Sequence, residues 1–316
     1  MFKVKDMMFI IAETPLHPGS GSELGIVDLP IQREIHTGFP KIEASSVKGC
    51  LREAFREAFR EGVEDKEIIS LVFGPEKEEG ELHAGAISIT DAKILLFPVK
   101  SLKGVFAWIT CPMVLKRLQK DLEIIGEKDF NFEIVKGSVP LDSEVVIFNK
   151  REEKVVLEEF TFKVKQKEET SKIAGWLSEN VFPSEEPYNF WKEKLKKSLV
   201  ILSDDEFAQF VKTSTEVITR TKIDPDKGTV QRGALWTEEY LPQDTVLYSV
   251  LMFTCPRVKD EKKKKKFSAD TPEEEARLVY KFFRKEVPEV IQIGGNQTIG
   301  KGFVRIKFLK EGANNG

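Results

Sequence analysis

The segment from Thr14 to Ala44 gathers His17, Glu23, Asp28, Arg33, Glu34 and His36 among glycines and prolines. A histidine and a carboxylate in one glycine-rich loop can exchange protons with a ribose hydroxyl, and the carboxylate can hold a divalent cation. Long structureless stretches inside a compact domain are uncommon and tend to be functional. Loops are also simply polar, so the residue types alone leave both readings open. Glu238, Glu239 and Tyr240 could add acidic and hydroxyl groups from a projecting segment; a solvated acidic turn with Tyr240 packed on Trp236 would explain the same residues.

A second group is Ser45-Ser46-Val47-Lys48-Gly49. A helix N-terminus carries free N–H groups and partial positive charge, so hydroxyls, a lysine and a glycine there make a phosphate seat. An ordinary serine N-cap followed by a solvated lysine looks the same. The third group is the turn Ile293–Gly302, where Gly294, Gly295, Gly300 and Gly302 surround Lys301. Glycine permits positive φ and close backbone approach to a phosphodiester. The turn is neither a P-loop nor a dinucleotide fingerprint, because it precedes a strand; a tight packing turn is the competing explanation. The run Lys262–Lys266 could track a polyanion, but its acidic flanks suit a solvated loop, and it receives no role.

The elements that must position these residues follow from periodicity. Residues 3–13 predict a buried first strand. A helix opens at Ser45, with Leu51, Phe55, Ala58 and Phe59 on its apolar face. Ile87–Val99 and Val105–Cys111 read as strands joined at Ser101–Gly104, and Pro112 starts the next helix. Glu133–Val164 looks mostly β, and Trp176–Lys197 looks helical with a break at Pro183–Pro187. Ser203 with Glu206, and Thr271 with Glu274, predict capping boxes. Glu216–Leu247 reads as a projecting hairpin or pair of hairpins around turns at 224–228 and 241–244. Val246–Thr254 and Phe303–Phe308 are further strands. The core order, strand-helix-strand-strand-helix with a later helix and a closing strand, predicts an α+β, ferredoxin-like sheet with large insertions. One domain over residues 1–316 is expected.

Composition narrows the function classes. The 316 residues carry 49 Lys+Arg against 52 Asp+Glu, a net charge of −3. That excludes a generally cationic nucleic-acid binder, so any polyanion contact must use local basic patches. Cys50, Cys111 and Cys255 have no paired spacing, and His17, His36 and His83 lack the spacing of a metal-binding helix. No apolar stretch is long enough to span a membrane and no leader is legible, which predicts a soluble, cytoplasmic protein.

Taken in order, these pieces resemble the RAMP superfamily of CRISPR-associated proteins. The residues that carry the resemblance are Thr14–Gly21, Gly25–Arg33, Phe39–Gly49 with Leu51-Arg52, Val72–Gly74, Ala84–Ile87 with Asp91-Ala92, Phe97–Ser101, Gly104–Ala107 and the C-terminal glycine turn. The likeness is dense in the N-terminal third and weak in the middle, and it is nearest to the repeated backbone subunits of type III-B (Cmr) effector complexes. The resemblance implies a ferredoxin-like (RRM-like) palm with a β-hairpin thumb at about 213–247, an active loop at 14–44 and a glycine-rich loop at 293–302. It implies a filament of copies along a CRISPR guide RNA, with the other Cmr subunits as partners and single-stranded target RNA as substrate. The loop aspartate, here Asp28, would cut that target at regular intervals with a divalent cation, Mg or Mn, and a ribose 2′-hydroxyl as nucleophile. His17, Glu238 and Tyr240 match accompanying catalytic positions. Ser45, Ser46, Lys48, Gly49 and Arg52, with Gly294, Gly295, Gly300, Lys301 and Gly302, fall on RNA-binding positions. A non-catalytic, guide-binding structural subunit is the alternative.

Overall fold

The computed structural model describes residues 2–22, 25–59, 63–75, 83–149, 152–258 and 260–309. Glu23, one of the loop candidates, lies outside them. The chain forms a mixed α/β structure around one large sheet. Its first strand, Val4–Ala12, has Met7 to Ala12 fully or almost fully buried, as a strand covered on both faces must. It pairs antiparallel with Val246–Phe253 on one side and with Phe303–Phe308 on the other. Ala92–Lys100 lies beyond Val246–Phe253, again antiparallel.

Two helices cover one face of this sheet. The helix Ala44–Ala58 follows the first strand and buries Val47, Leu51 and Phe55 at four-residue spacing. The helix Pro272–Glu286 lies between Val246–Phe253 and Phe303–Phe308 in sequence and buries Val279, Phe282 and Phe283. Phe55 stacks on Phe283 with ring centroids 5.4 Å apart and meets Phe73 edge-on at 5.2 Å, an arrangement that adds to simple area burial. Both predicted capping boxes, at Ser203 and Thr271, are formed.

Three expectations need correction. Phe106–Thr110 does pair with Ala92–Lys100, but it lies outside the sheet's centre, and Val246–Phe253 takes the place beside the first strand. Sequence adjacency predicts which strands pair, not on which flank the pair sits. The strand read as Ile87–Val99 is two strands, Ile87–Ile89 and Ala92–Lys100, because the ladder that both form with Val246–Phe253 is interrupted at Thr90-Asp91. The lysine run is not a loop. It forms two short 3₁₀ turns over Glu261–Phe267, kinked at Lys265, in which Lys264 pairs with Glu261 and Glu275 while Lys266 sits 3.7 Å from the centre of the Phe282 ring.

The middle of the chain, read as mostly β and then helical, gives the short strands Ile147–Asn149, Glu152–Leu157 and Phe160–Lys163, and the helices Glu168–Val181 and Pro187–Ser198. The projecting segment is a single hairpin, Glu216–Ile223 against Val230–Tyr240. Asp224 closes its tip by accepting the Asp226 and Lys227 amides, with Gly228 in the left-handed region at φ 63°.

Candidate active site

The edge of Val230–Tyr240 that does not face its hairpin partner receives the long N-terminal loop. Leu16 exchanges two backbone hydrogen bonds with Leu241 at 2.9 and 2.8 Å. Further on, the Leu29 amide donates to the Thr237 carbonyl and the Glu239 amide donates to the Leu29 carbonyl, both at 3.0 Å. The loop is therefore stitched to the base of the hairpin at two points. His17 lies at the first and Asp28 at the second.

Asp28 is exposed. Its Oδ2 accepts from the Thr237 amide at 2.7 Å and from the Thr237 hydroxyl at 2.8 Å. The Thr237 backbone donor, then its hydroxyl, hold the Asp28 carboxyl below its ordinary value, so it stays ionised. His17 is nearly buried, and its Nδ1 donates to the Glu239 carbonyl at 2.6 Å. That bond puts a proton on Nδ1, so in the neutral ring it is Nε2 that carries the lone pair. The anchors of the two side chains, Thr237 and Glu239, are two residues apart, about 7 Å along a strand.

Strand alternation sends Trp236, Glu238 and Tyr240 to the opposite face from Thr237 and Glu239. Glu238 accepts from Trp236 Nε1 at 2.8 Å, from Asn296 Nδ2 at 2.9 Å, from Arg220 Nε at 3.3 Å and from the Tyr240 hydroxyl. Burial alone would raise its carboxyl; the donors from Tyr240, Trp236 and Arg220 outweigh it and hold it low. Tyr240 is raised, chiefly by burial. Tyr240 does not pack on Trp236. Its ring lies 5.4 Å from that of His17 and 5.1 Å from Lys301 Nζ. The structure thus groups His17, Glu238 and Tyr240 and places Asp28 on the same strand edge as His17, but on the face away from Glu238 and Tyr240.

Glu239, passed over in favour of its neighbour, is the latch. It accepts from Arg33 Nη2 at 2.5 Å, Thr215 Oγ1 at 2.8 Å and the Ile31 amide at 3.0 Å. Strand alternation could have separated it from Glu238; its partners could not be read locally. Arg220 carries no motif, and Asn296 lies inside the glycine turn, where only the glycines and Lys301 stand out.

The glycine loop divides in two. At Gly294, φ is +83°, and a Cβ would run into the His17 carbonyl oxygen; at Gly302, φ is +78°, and it would run into the Ile293 carbonyl. The packing explanation therefore accounts for Gly294 and Gly302, and a Cβ on Gly295 would crowd the His17 ring. A Cβ on Gly300 would meet nothing within 4 Å, so Gly300 and Lys301 are the part open to a ligand.

The helix start also differs from expectation. Ser45 and Ser46 are not caps. The cap is Glu43, without a side-chain bond, and Asp91 Oδ1 takes the Ala44 amide at 2.9 Å. A carboxylate from elsewhere thus occupies the first turn. Lys48 is half-buried and its Nζ lies 3.4 Å from the Ile87 carbonyl. Gly49 is exposed, with nothing near a would-be Cβ, and Arg52 lies one turn after Lys48. The Gly294 amide points at Cys50, which brings the glycine loop against this helix.

Among the described residues no group of three or more His, Cys, Asp or Glu is arranged to hold a metal ion. Asp28 therefore stands as a single carboxylate, with both Thr237 donors on Oδ2. A lone carboxylate fits a cation such as Mg²⁺, which usually keeps water and substrate phosphate among its ligands.

The sequence model of the RAMP superfamily matches residues 9–305. The chain belongs to the RAMP superfamily. Among RAMP relatives it is 43% identical over 306 residues to the CRISPR system Cmr endoribonuclease Cmr4 of Pyrococcus furiosus, covering 96% of this chain and 95% of that one. It is 26% identical to the Cmr4 subunit of the Saccharolobus solfataricus CMR system, covering 96% of each. A crystal structure of oligomeric Cmr4 from P. furiosus superimposes with a TM-score of 0.69 at 33% identity, covering 98% of both chains. No helix among the described residues is long and apolar enough to cross a membrane.

Proposed function

We propose that this RAMP protein is a guide-RNA-binding backbone subunit of a type III-B effector complex and cuts guide-complementary target RNA at regular intervals. The observation that carries the catalytic part is Asp28, exposed, held ionised by Thr237 and fixed on the same strand edge as His17. The kinship to a Cmr endoribonuclease over nearly the whole chain supports the assembly part. Its partners are then CRISPR guide RNA, single-stranded target RNA, further copies of itself and other Cmr subunits, in the cytoplasm.

The whole chain acts as one RAMP domain. Its palm is ferredoxin-like: Phe303–Phe308, Val4–Ala12, Val246–Phe253 and Ala92–Lys100 lie in that spatial order, all antiparallel, with a helix after the first and third strands in sequence. The hairpin 216–240 is the thumb. Its base presents Arg220 and Lys301 around Glu238, an excess of positive charge that can meet a phosphate. His17 Nε2 takes the proton of a ribose 2′-hydroxyl, while the Glu239 carbonyl holds the ring in place. A divalent cation, Mg²⁺ or Mn²⁺, held by Asp28 would supply charge stabilisation at the reacting phosphate.

One observation favours a scaffold instead. Asp28 Oδ2 already stitches the loop to Thr237, a structural task. Asp28→Asn in a reconstituted guide-loaded complex separates the two readings. Expected is normal assembly and target binding with cleavage lost at every site together, because all copies carry the change. Cutting at the wild-type rate would leave the chain a scaffold.

A further inference from the structure

In this charged chain many of the part-buried basic side chains are neutralised. Lys41, Lys93, Arg33, Arg117, Lys194 and Lys264 all have carboxylate partners within 3 Å. Half-buried Lys48 is not neutralised, and neither is Arg257: no carboxylate among the described residues pairs with either. Two separate segments bring them together. Ile87–Ile89 runs antiparallel to Val246–Phe253, with Ile87 opposite Phe253. Lys48 reaches the Ile87 carbonyl at 3.4 Å, and the chain leaving Phe253 is held alongside by the Thr254 amide on the Ala86 carbonyl at 2.9 Å. Three residues later that chain presents Arg257, exposed. Arg52 stands one helical turn from Lys48 on the same face.

We propose that Arg257 completes a three-cation seat with Lys48 and Arg52 for a phosphodiester of single-stranded RNA, deepening the guide-binding reading above on which it rests. Burial first, then repulsion from Arg52 and Arg257, holds the Lys48 ammonium below its ordinary value. Like charges converging on a half-buried lysine are costly unless an anion joins them. The guanidinium of Arg257 can offer two parallel donors to a phosphate, which a lysine cannot. The seat is three cations with no aromatic ring on which a base could stack, which suits the RNA backbone. The lysine run that follows is spent on protein contacts at Lys264 and Lys266 and is not its main continuation.

The test uses the full-length chain and a fluorescent oligouridylate, with anisotropy read across a potassium chloride series. Arg257→Gln should weaken binding about three- to tenfold at moderate salt and lower the slope of log K against log salt by about 0.7. Arg257→Lys should keep the slope and recover only part of the affinity. Thermal melting of both variants should match wild type, since Arg257 is exposed. If Lys48→Ala weakens binding but Arg257→Gln changes neither affinity nor slope, Arg257 is not in the seat, while the guide-binding reading stands. If the wild-type chain shows no salt-dependent binding, both are overturned.

Discussion

Replacing Glu239 by alanine should unlatch the long N-terminal loop from the base of the hairpin 216–240. The carboxylate is buried and accepts a charged donor from Arg33 at 2.5 Å, with Thr215 and the Ile31 amide adding two neutral donors. Breaking a buried ion pair by removing one partner costs about 3–5 kcal/mol. Here Arg33 keeps its bonds to the Gly38 and Val211 carbonyls and is partly exposed, so the lower end applies, about 3 kcal/mol. Much of that loss should be local, since two of the three interactions removed join residues 31–33 to the hairpin base. Hydrogen exchange reads it directly: the Leu29 and Ile31 amides should exchange on the order of a hundredfold faster, while the Val4–Ala12 strand stays protected. Glu239→Gln retains an acceptor for Ile31 and should fall between, at about 1–2 kcal/mol. In a guide-loaded complex the alanine variant should cut more slowly than it binds. Unchanged exchange at Leu29 and Ile31 in Glu239→Ala would refute the latch, whatever the effect on cutting.

Two further substitutions test neighbouring arguments. Gly294→Ala should destabilise by about 3 kcal/mol or more, because its Cβ meets the His17 carbonyl at φ +83°, whereas Gly300→Ala at φ +77° faces open space and should cost only about 1 kcal/mol; equal melting temperatures would contradict this. Asp244, in the turn before Val246–Phe253, has its carboxyl pushed up to about 6 by burial and then by Glu13. Between the unfolded value of 3.8 and about 6 the unfolded chain ionises first, so Asp244 makes stability fall as pH rises, and the penalty is constant above that window. Asp244→Asn, which suits the left-handed φ of 68°, should therefore leave melting unchanged near pH 4 and raise it near pH 7, by about 1–2 kcal/mol once solvent screening is allowed for. A variant no more stable at pH 7 than wild type would rule out the buried carboxyl as a liability.

The sequence by itself determined what depends on neighbours a few residues apart. The recurrence of Leu51, Phe55 and Phe59 specified a helix face, although Ala58, read onto the same face, is exposed; the apolar run Met7–Ala12 specified a buried strand. Ser203 and Thr271 announced their caps because both partners of a capping box lie within four residues. The ordered motifs of the N-terminal third, with the glycine turn, were enough to place the chain among RAMP proteins, as the match over residues 9–305 bears out. The tertiary structure decided which partners those local pieces take. Asp91, not Ser45, caps the helix Ala44–Ala58; Val246–Phe253, not Phe106–Thr110, flanks the first strand; Glu239, not Glu238, latches the loop. Each choice is made across separations from 47 residues to more than 200, where helical and strand periods carry no information. There a side chain's role is set by which buried donor would otherwise go unpaired.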